Sequence, residues 1–201
     1  MKNKNHWENV YNTKQPNEVS WTQEVPKVSL DLIANCNLSK SAKIIDIGGG
    51  DSNLVDYLLE QGYENITVLD ISEKAIERAK LRLGKIAEKV TWIITDITEF
   101  EPKKTYDIWH DRATFHFLTE QIQIEKYKKL IQRYASNYLI MATFSNNGPL
   151  KCSGLEIKQY TIEDLVDLFS NKFKIIDGLY QDHQTPFNTI QNFVFCSFKR
   201  I

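Results

Sequence analysis

The sequence is poor in the residues that mark several specialised protein classes. Its 201 residues include only 8 glycines and 5 prolines, too few for a low-complexity or collagen-like chain. The longest strictly apolar run, from Tyr138 to Ala142, is far shorter than the roughly 18 residues that span a bilayer, so no membrane helix is expected. No apolar stretch follows the N-terminal MKNKNHWENVY, so no secretory signal is expected either. We therefore predict a cytoplasmic protein.

Cysteines and histidines are also scarce. The three cysteines, Cys36, Cys152 and Cys196, are odd in number and far apart, which favours reduced thiols over a disulfide framework. No CxxC pair is present, and the 4 histidines lack the spacing of metal ligands. A bound metal is therefore not expected.

Neither sign of charge dominates the composition. The 25 Lys and Arg residues balance 26 Asp and Glu residues, which leaves a formal net charge of -1. A protein that binds nucleic acid through a broad positive field would be basic, so no nucleic-acid partner is expected. Hydrophobic residues make up 42% of the chain, as in one globular domain with its own core.

The hydrophobic pattern predicts a single domain over residues 1–201, with an N-terminal arm (1–41) and a core (42–201). Within the core, strands alternate with helices, which implies parallel pairing and a three-layer αβα sandwich. A capping box formed by Thr161 and Asp164 predicts a helix start at Thr161. The predicted strands, of which the last two form an antiparallel pair, are 43–47, 66–69, 90–94, 106–109, 138–144, 173–179 and 193–198.

A glycine-rich turn follows the first predicted strand. Gly48, Gly49 and Gly50 come directly after the apolar run that contains Asp46, and a helix follows them. Consecutive glycines allow a sharp turn and the close approach of a ligand, although a simple strand-to-helix turn would use them too.

Acidic residues end the next two strands. Asp70 lies 22 residues after Gly48, about where an acidic side chain accepts hydrogen bonds from a ribose. The alternative is that Asp70 caps the helix that starts near Ser72. Asp96 ends the third strand, where it could accept a hydrogen bond from an adenine amino group. Asp46, Asp70 and Asp96 are thus expected at one edge of the sheet.

The details of the loop distinguish between adenosine cofactors. The dinucleotide fingerprint requires a small residue at position 53, where this sequence has Asn53, and Asp51 would repel a pyrophosphate at the helix start. A carboxylate-lined loop suits a positively charged cofactor such as S-adenosylmethionine (SAM).

The segments IIDIGGGDS, VLDIS, TDI and YDIWHD, in this order and spacing, resemble the motifs of class I SAM-dependent methyltransferases. The resemblance implies a Rossmann-like, mostly parallel seven-stranded sheet whose last strand is antiparallel. It also implies that the glycine loop holds the methionyl part of SAM, that Asp70 holds the ribose and that Asp96 reads the adenine. The cofactor residues it indicates are Asp46, Gly48, Gly49, Gly50, Asp51, Asp70, Ile71, Asp96, Ile97 and Trp21.

Two further segments carry a finer resemblance. The arm, with HWENVY, Trp21 and Ser29, is similar to the entry segment of elongation-factor lysine methyltransferases, where it folds over the cofactor. The segment DRATF from Asp111 is similar both to the D-K-G-T-F element of that group and to a D-R-G element of thiopurine methyltransferases. The acceptor is therefore expected to be a protein lysine amine or a small-molecule nucleophile. Trp7, Tyr11 and Trp21 could form a lid or simply pack.

The acceptor side needs groups that position a nucleophile. We predict that Asp111 binds an acceptor ammonium, with His110 or His116 as proton acceptor near neutral pH. The alternatives are an ion pair between Asp111 and Arg112, and a buried structural His116. Tyr160 and the loop 183–191 are further candidates for this pocket.

The sequence therefore predicts a SAM-dependent methyltransferase that releases S-adenosylhomocysteine (SAH). Two other functions stay open at this point. One is an NAD-binding oxidoreductase, and the other is a non-catalytic SAM-binding subunit of a partner enzyme.

Overall fold

The computed structural model describes residues 2–201, with side chains from Lys4 onward. The helices are α1 (Lys2–Thr13), α2 (Lys27–Asn35), α3 (Leu54–Glu60), α4 (Glu73–Leu83), α5 (Gln121–Tyr134) and α6 (Ile162–Phe169). The strands are β1 (Lys43–Ile47), β2 (Asn65–Asp70), β3 (Val90–Ile94), β4 (Tyr106–Arg112), β5 (Ala135–Phe144), β6 (Lys151–Cys152), β7 (Leu155–Glu156), β8 (Phe173–Gln184) and β9 (Ile190–Arg200).

Seven strands form one sheet in the order β3-β2-β1-β4-β5-β9-β8, and β6 and β7 form a separate short hairpin. The β1, β2, β3, β4 and β5 pairings are parallel, whereas β9 runs antiparallel to both β5 and β8. The predicted fold class is therefore confirmed. The last strand in the chain is the antiparallel one, and it lies inside the sheet between β5 and β8.

The pleat of the strands divides the core into two layers. Along β4, Trp109 packs on the face covered by α5 and α6, whereas Ile108 packs on the face covered by α2, α3 and α4. The same alternation separates Leu139 from Ile140 on β5. Because successive strand residues point to opposite faces, each central strand supplies both cores.

The chain changes direction across the sheet between β1 and β4. From β1, the next two strands are added on one side, and β4 then starts the other half of the sheet. In open α/β sheets, ligands bind at such a switch point, outside the carboxyl ends of the strands. The residues that follow β1, β2, β3 and β4 are therefore brought to one rim.

Local sequence signals explain several boundaries. Thr161 is the N-cap of α6, its side chain accepts a hydrogen bond from Asp164 N, and the Asp164 carboxylate accepts one from Thr161 N. The arm holds α1 in addition to the expected helix after Pro26, and β8 and β9 are longer than predicted. Among the helices in residues 2–201, none combines the length and apolar character needed to cross a membrane.

We expect Thr161→Ala to lower the free energy of unfolding by about 1 kcal/mol, because one N–H of α6 loses its side-chain acceptor. Urea unfolding followed by circular dichroism measures the change. Thr105→Ala, at an exposed loop position, is the matched control and should change stability by less than about 0.5 kcal/mol. Equal stabilities of the two variants would contradict the capping role.

Candidate functional site

A cavity of about 240 Å³ lies at the carboxyl rim of the sheet, beneath the N-terminal arm. Every residue predicted to bind the cofactor except Gly50 lines it. His110, predicted as a proton acceptor, also lines it, whereas Asp111 and His116 are absent from its wall. The structure thus brings the sequence-predicted cofactor residues to one place and separates two of the three predicted catalytic residues from them.

The glycine turn forms the middle of the cavity wall. Gly48 and Gly50 have φ angles of 65° and 49°, in the left-handed region that favours glycine. A Cβ on Gly50 would lie 2.9 Å from the Tyr11 hydroxyl, so glycine also permits the arm to approach here. Gly50 therefore lies under Tyr11, and the turn itself is fixed by hydrogen bonds from Gly48 N and Gly49 N to the Leu69 carbonyl.

Asp46 is held in place from the neighbouring strand. His110 Nδ1 lies 2.7 Å from Asp46 Oδ1, and His110 Nε2 lies 2.9 Å from the Ser29 hydroxyl. Because an ionised carboxylate can only accept, Nδ1 carries the proton of this hydrogen bond. His110 therefore positions Asp46, and both of its ring nitrogens already have partners.

Two more carboxylates lie under the arm. Asp51 is 3.4 Å from Arg78, and burial raises its pKa in spite of that partner. Burial raises the pKa of Asp70 to about 7, and the charges of Asp51, Asp46 and Glu8 add to the effect. Asp70 Oδ1 accepts a hydrogen bond from Ser72 N, and Oδ2 faces Gly50. Asp70 thus takes part in the turn before α4 and still presents one oxygen towards the glycine turn.

Asp96 lies at the end of the cavity beside β3. Its Oδ1 accepts hydrogen bonds from the backbone N–H and the hydroxyl of Thr98, at 2.9 and 2.8 Å. These bonds start the short 3-10 helix Ile97–Glu99 and fix the direction of the carboxylate. Within residues 2–201, Oδ2 of Asp96 has no hydrogen-bond partner, so it is free to accept one from a ligand.

The arm closes the cavity with aromatic side chains. The Trp7 ring lies 5.6 Å from Trp21, 6.3 Å from Tyr11 and 5.2 Å from Phe117. Trp7, Tyr11, Trp21 and Phe117 all line the cavity. The arm aromatics therefore form the roof of the site.

Glu8 fixes α1 of the arm to α4. Its carboxylate accepts hydrogen bonds from Glu73 N, Lys74 N and the Ser72 hydroxyl. Burial opposes its ionisation, but these hydrogen bonds outweigh burial and hold the pKa of Glu8 below its usual value. The arm thus supplies the acceptor that the N-terminus of α4 requires.

Asp111 points into the core on the α5 side of the sheet. Its carboxylate accepts hydrogen bonds from the Tyr127 hydroxyl at 2.6 Å and from the N–H groups of Thr114 and Phe115. Burial raises its pKa to about 6. The expected contact with an acceptor ammonium does not fit this position, because the side chain faces away from the cavity. We therefore propose that Asp111 fixes the turn after β4.

His116 is also enclosed. Its ring stacks on Phe144 at 4.5 Å, and neither ring nitrogen has a hydrogen-bond partner within residues 2–201. Burial and the nearby Arg112 lower its pKa to about 3, so the imidazole is neutral at pH 7. A proton acceptor needs a pKa closer to the working pH, so this geometry gives little support to the predicted catalytic role of His116.

Sequence reasoning missed several residues that line the cavity at its β4 end, among them Arg112, Phe117 and Cys152. For Arg112, the sequence suggests only an ion pair with Asp111. The structure contradicts that pairing, because neighbouring strand residues point to opposite faces and Asp111 is bonded to Tyr127 instead. The alternation of side chains along β4 was the signal in the sequence that separates Asp111 from Arg112. Cys152 lies on β6, and a strand of two residues is too short to give a periodic pattern in the sequence.

The fold and the order of groups along the rim are similar to those of class I SAM-dependent methyltransferases. A family model described as a methyltransferase domain matches residues 44–135 and confirms the resemblance seen in the sequence. The match also supports SAM as the cofactor.

Individual relatives agree with this assignment. The chain is 38% identical to a malonyl-[acyl-carrier protein] O-methyltransferase of Anoxybacillus flavithermus over 106 residues, which are 51% of this chain and 39% of that protein. It is 26% identical to a mouse eEF1A lysine and N-terminal methyltransferase over 121 residues, 59% of this chain and 17% of that protein. The chain therefore matches less than half the length of either relative.

A solved structure shows the same fold over the whole chain. The SAM-dependent methyltransferase from Anabaena variabilis superimposes with a TM-score of 0.76 at 16% identity. The superposition covers 100% of this chain and 96% of the other. The arm and the long β8 and β9 thus belong to an architecture found elsewhere.

We expect SAH to bind about tenfold more weakly at pH 6 than at pH 8. The pKa of Asp70 is about 7 in the free protein, and hydrogen bonds from a ligand favour the ionised form. Binding below pH 7 must therefore release the proton of Asp70, which weakens the apparent affinity as the pH falls. Titration calorimetry in two buffers of different ionisation enthalpy measures both the affinity and the released proton.

Asp70→Asn is the control for this pH effect, since an amide has no proton to release in this range. The variant should bind SAH more weakly but with an affinity that no longer changes between pH 6 and pH 8. A wild-type affinity that is flat over this range would show that Asp70 does not change its ionisation on binding.

We expect Asp111→Ala to lower the free energy of unfolding by about 3 kcal/mol, because the buried Phe115 N–H, the part-buried Thr114 N–H and the buried Tyr127 hydroxyl lose their acceptor. Tyr127→Phe, which removes one of these donors, should cost about 1 kcal/mol. SAH affinity should stay within twofold of wild type in both variants. A stable Asp111→Ala protein with impaired methyl transfer would show instead that Asp111 acts on the acceptor.

Proposed function

We propose that this protein transfers a methyl group from SAM to an acceptor that enters the cavity above β4. The observation that carries the proposal is the order of groups along the rim. Asp96 follows β3, Asp70 ends β2, the glycine turn follows β1, and Arg112 ends β4. A nucleoside bound by Asp96 and Asp70, at the β3 and β2 end of the rim, would place the rest of the cofactor next to the β4 end.

The charge of the cavity fits this cofactor. Asp46, Asp51, Asp70 and Asp96 all line it, and burial raises the pKa values of Asp51 and Asp70 because water no longer stabilises their charges. A ligand that carries sulfonium and ammonium groups would stabilise these carboxylates. When bound, SAM supplies a methyl group activated by the positive sulfur.

The chain's own residues would act mainly by positioning. Asp70 and Asp96 each offer a carboxylate oxygen to a nucleoside, and the glycine turn lets a ligand lie against the backbone. Trp7 and Trp21 cover the cavity and limit the access of water. Positioning of this kind can supply roughly 7 to 11 kcal/mol of a bimolecular barrier, so no covalent enzyme intermediate is required.

The relatives differ in their acceptors. Their names include malonyl-[acyl-carrier protein], the lysine and N-terminus of eEF1A, and trans-aconitate. We propose that the acceptor of this chain approaches between Phe117 and Arg112, since these residues line the β4 end of the cavity. Both a protein group and a small molecule remain within this proposal.

The two rival functions are less well supported. Asp51 stands at the turn before α3, where an NAD pyrophosphate would bring like charge. A non-catalytic subunit would bind SAM alone, so it would need only the part of the cavity that holds the cofactor. The cavity continues past the glycine turn to Ala113, Phe117 and Cys152, which is the space that an acceptor would need.

We expect SAH to bind with micromolar affinity and NAD not to bind in titration calorimetry. Asp96→Ala should weaken SAH binding by about 1.5 to 3 kcal/mol through loss of hydrogen bonds to a charged group. Asp167→Ala, an exposed acid on α6, is the matched control and should bind SAH like the wild type. Binding of NAD in place of SAH would contradict the proposal.

Labelling of a cell lysate with methyl-labelled SAM tests turnover. Label that survives protease treatment and passes a small-pore filter identifies a small acceptor, whereas label retained with protein identifies a protein acceptor. SAH binding without any incorporation would favour the non-catalytic subunit.

A further inference from the structure

Arg112 ends β4 at the acceptor end of the cavity, and part of its guanidinium has no partner. Its Nη1 donates a hydrogen bond to the Trp21 carbonyl at 3.1 Å. Nε and Nη2 are both buried and have no hydrogen-bond partner within residues 2–201. No carboxylate within the described chain lies within ion-pair distance of this group. A buried cation is costly unless it is paired and hydrogen-bonded.

The two unpartnered nitrogens lie on the same edge of the guanidinium. The Nε–H and Nη2–H bonds point in the same direction, as the two arms of a fork that matches both oxygens of a carboxylate. The plane of the group is fixed by the Trp21 carbonyl on one side and by Phe193, whose ring centre is 4.8 Å from Cζ. This buried, unpartnered edge therefore has the geometry to bind a planar anion.

Among the side chains described from Lys4 onward, the basic groups around Arg112 are neutral or already paired. Arg112 acts on His116 and His183, and burial together with Arg112 lowers the pKa values of both, so both are neutral at pH 7. Arg82, the other arginine on the cavity wall, is bonded to the Asp56 carboxylate and to the Asp51 and Ser52 carbonyls. The Asp46 carboxylate stabilises the charge of Arg112 from beyond ion-pair distance, and the Nε–Nη2 edge itself has no partner among the described side chains.

We infer that the acceptor carries a carboxylate and that the Nε–Nη2 edge of Arg112 binds it. This inference rests on the proposed function, since it concerns the acceptor end of the same cavity. A phosphate dianion would bring two negative charges to one guanidinium and to a wall that already holds Asp46. A lysine ammonium would be repelled by Arg112. The carboxylate is the anion that matches both the geometry and the charge.

The experiment measures binding of succinate to the SAH-loaded full chain by saturation-transfer NMR and calorimetry. Succinamide, which has nearly the same shape without charge, and inorganic phosphate are titrated in parallel. We expect succinate to bind and the other two probes not to. Arg112→Gln should weaken succinate binding at least tenfold, and Arg112→Lys should give an intermediate loss because the charge stays but the fork is gone.

Arg133→Gln, which removes an exposed positive charge from α5, is the matched control and should bind succinate like the wild type. SAH affinity and thermal unfolding show whether each Arg112 variant is folded. If Arg112→Gln does not fold, the Arg112→Lys variant and the comparison of succinate with succinamide on the wild type decide the question.

Four results would overturn the inference: no succinate binding, equal binding of succinamide, binding of phosphate in its place, or unchanged succinate binding in Arg112→Gln. Loss of SAH binding in the wild type would instead count against the proposed function. Succinate titration of the SAH-free chain separates the two failures.

Discussion

The structure depends on how it holds negative charge away from water at the ends of β1 and β2. The charges of Asp51, Asp46 and Glu8 all raise the pKa of Asp70, and each of the four carboxylates has a different partial compensation. Asp46 has His110, Asp51 has Arg78, Asp70 has one backbone N–H, and Glu8 has the start of α4. Two unit charges 4 Å apart interact by about 4 kcal/mol at an effective dielectric constant of 20. Such a cluster favours a cationic group at this end of the cavity, whereas Arg112 favours an anionic group at the β4 end.

The same constraint explains why the arm lies where it does. Core side chains hold its backbone carbonyls: His183 lies 2.7 Å from the Ser20 carbonyl, Asn53 donates to the Gln23 and Glu24 carbonyls, and Arg112 donates to the Trp21 carbonyl. Asn53, Arg112 and the arm residue Trp21 also line the cavity. The roof is therefore attached to residues that also line the cavity.

Much of the fold and of the cofactor end could be predicted from sequence because the signals there are local. The apolar run before Gly48, the capping box at Thr161 and the acids that end β2 and β3 each lie within a few residues of the element they define. Parallel strands then bring those acids to one rim whatever the details of packing. The helix α1 was missed although Trp7, Val10 and Tyr11 have the i, i+3, i+4 spacing of one helical face. Most of its other residues are polar, so this face is short.

The acceptor end could not be predicted in the same way, because its chemistry depends on which face of β4 is covered by which layer. Sequence parity alone places Asp111 and Arg112 on opposite faces, but it does not say which face α5 covers and which the arm covers. That choice is made by the crossovers after β3 and β4. It buries Asp111 against Tyr127 and turns Arg112 towards Trp21 and Phe193. Asp111 thus has structural partners only, whereas the neighbouring Arg112 has guanidinium N–H groups that no described residue accepts from.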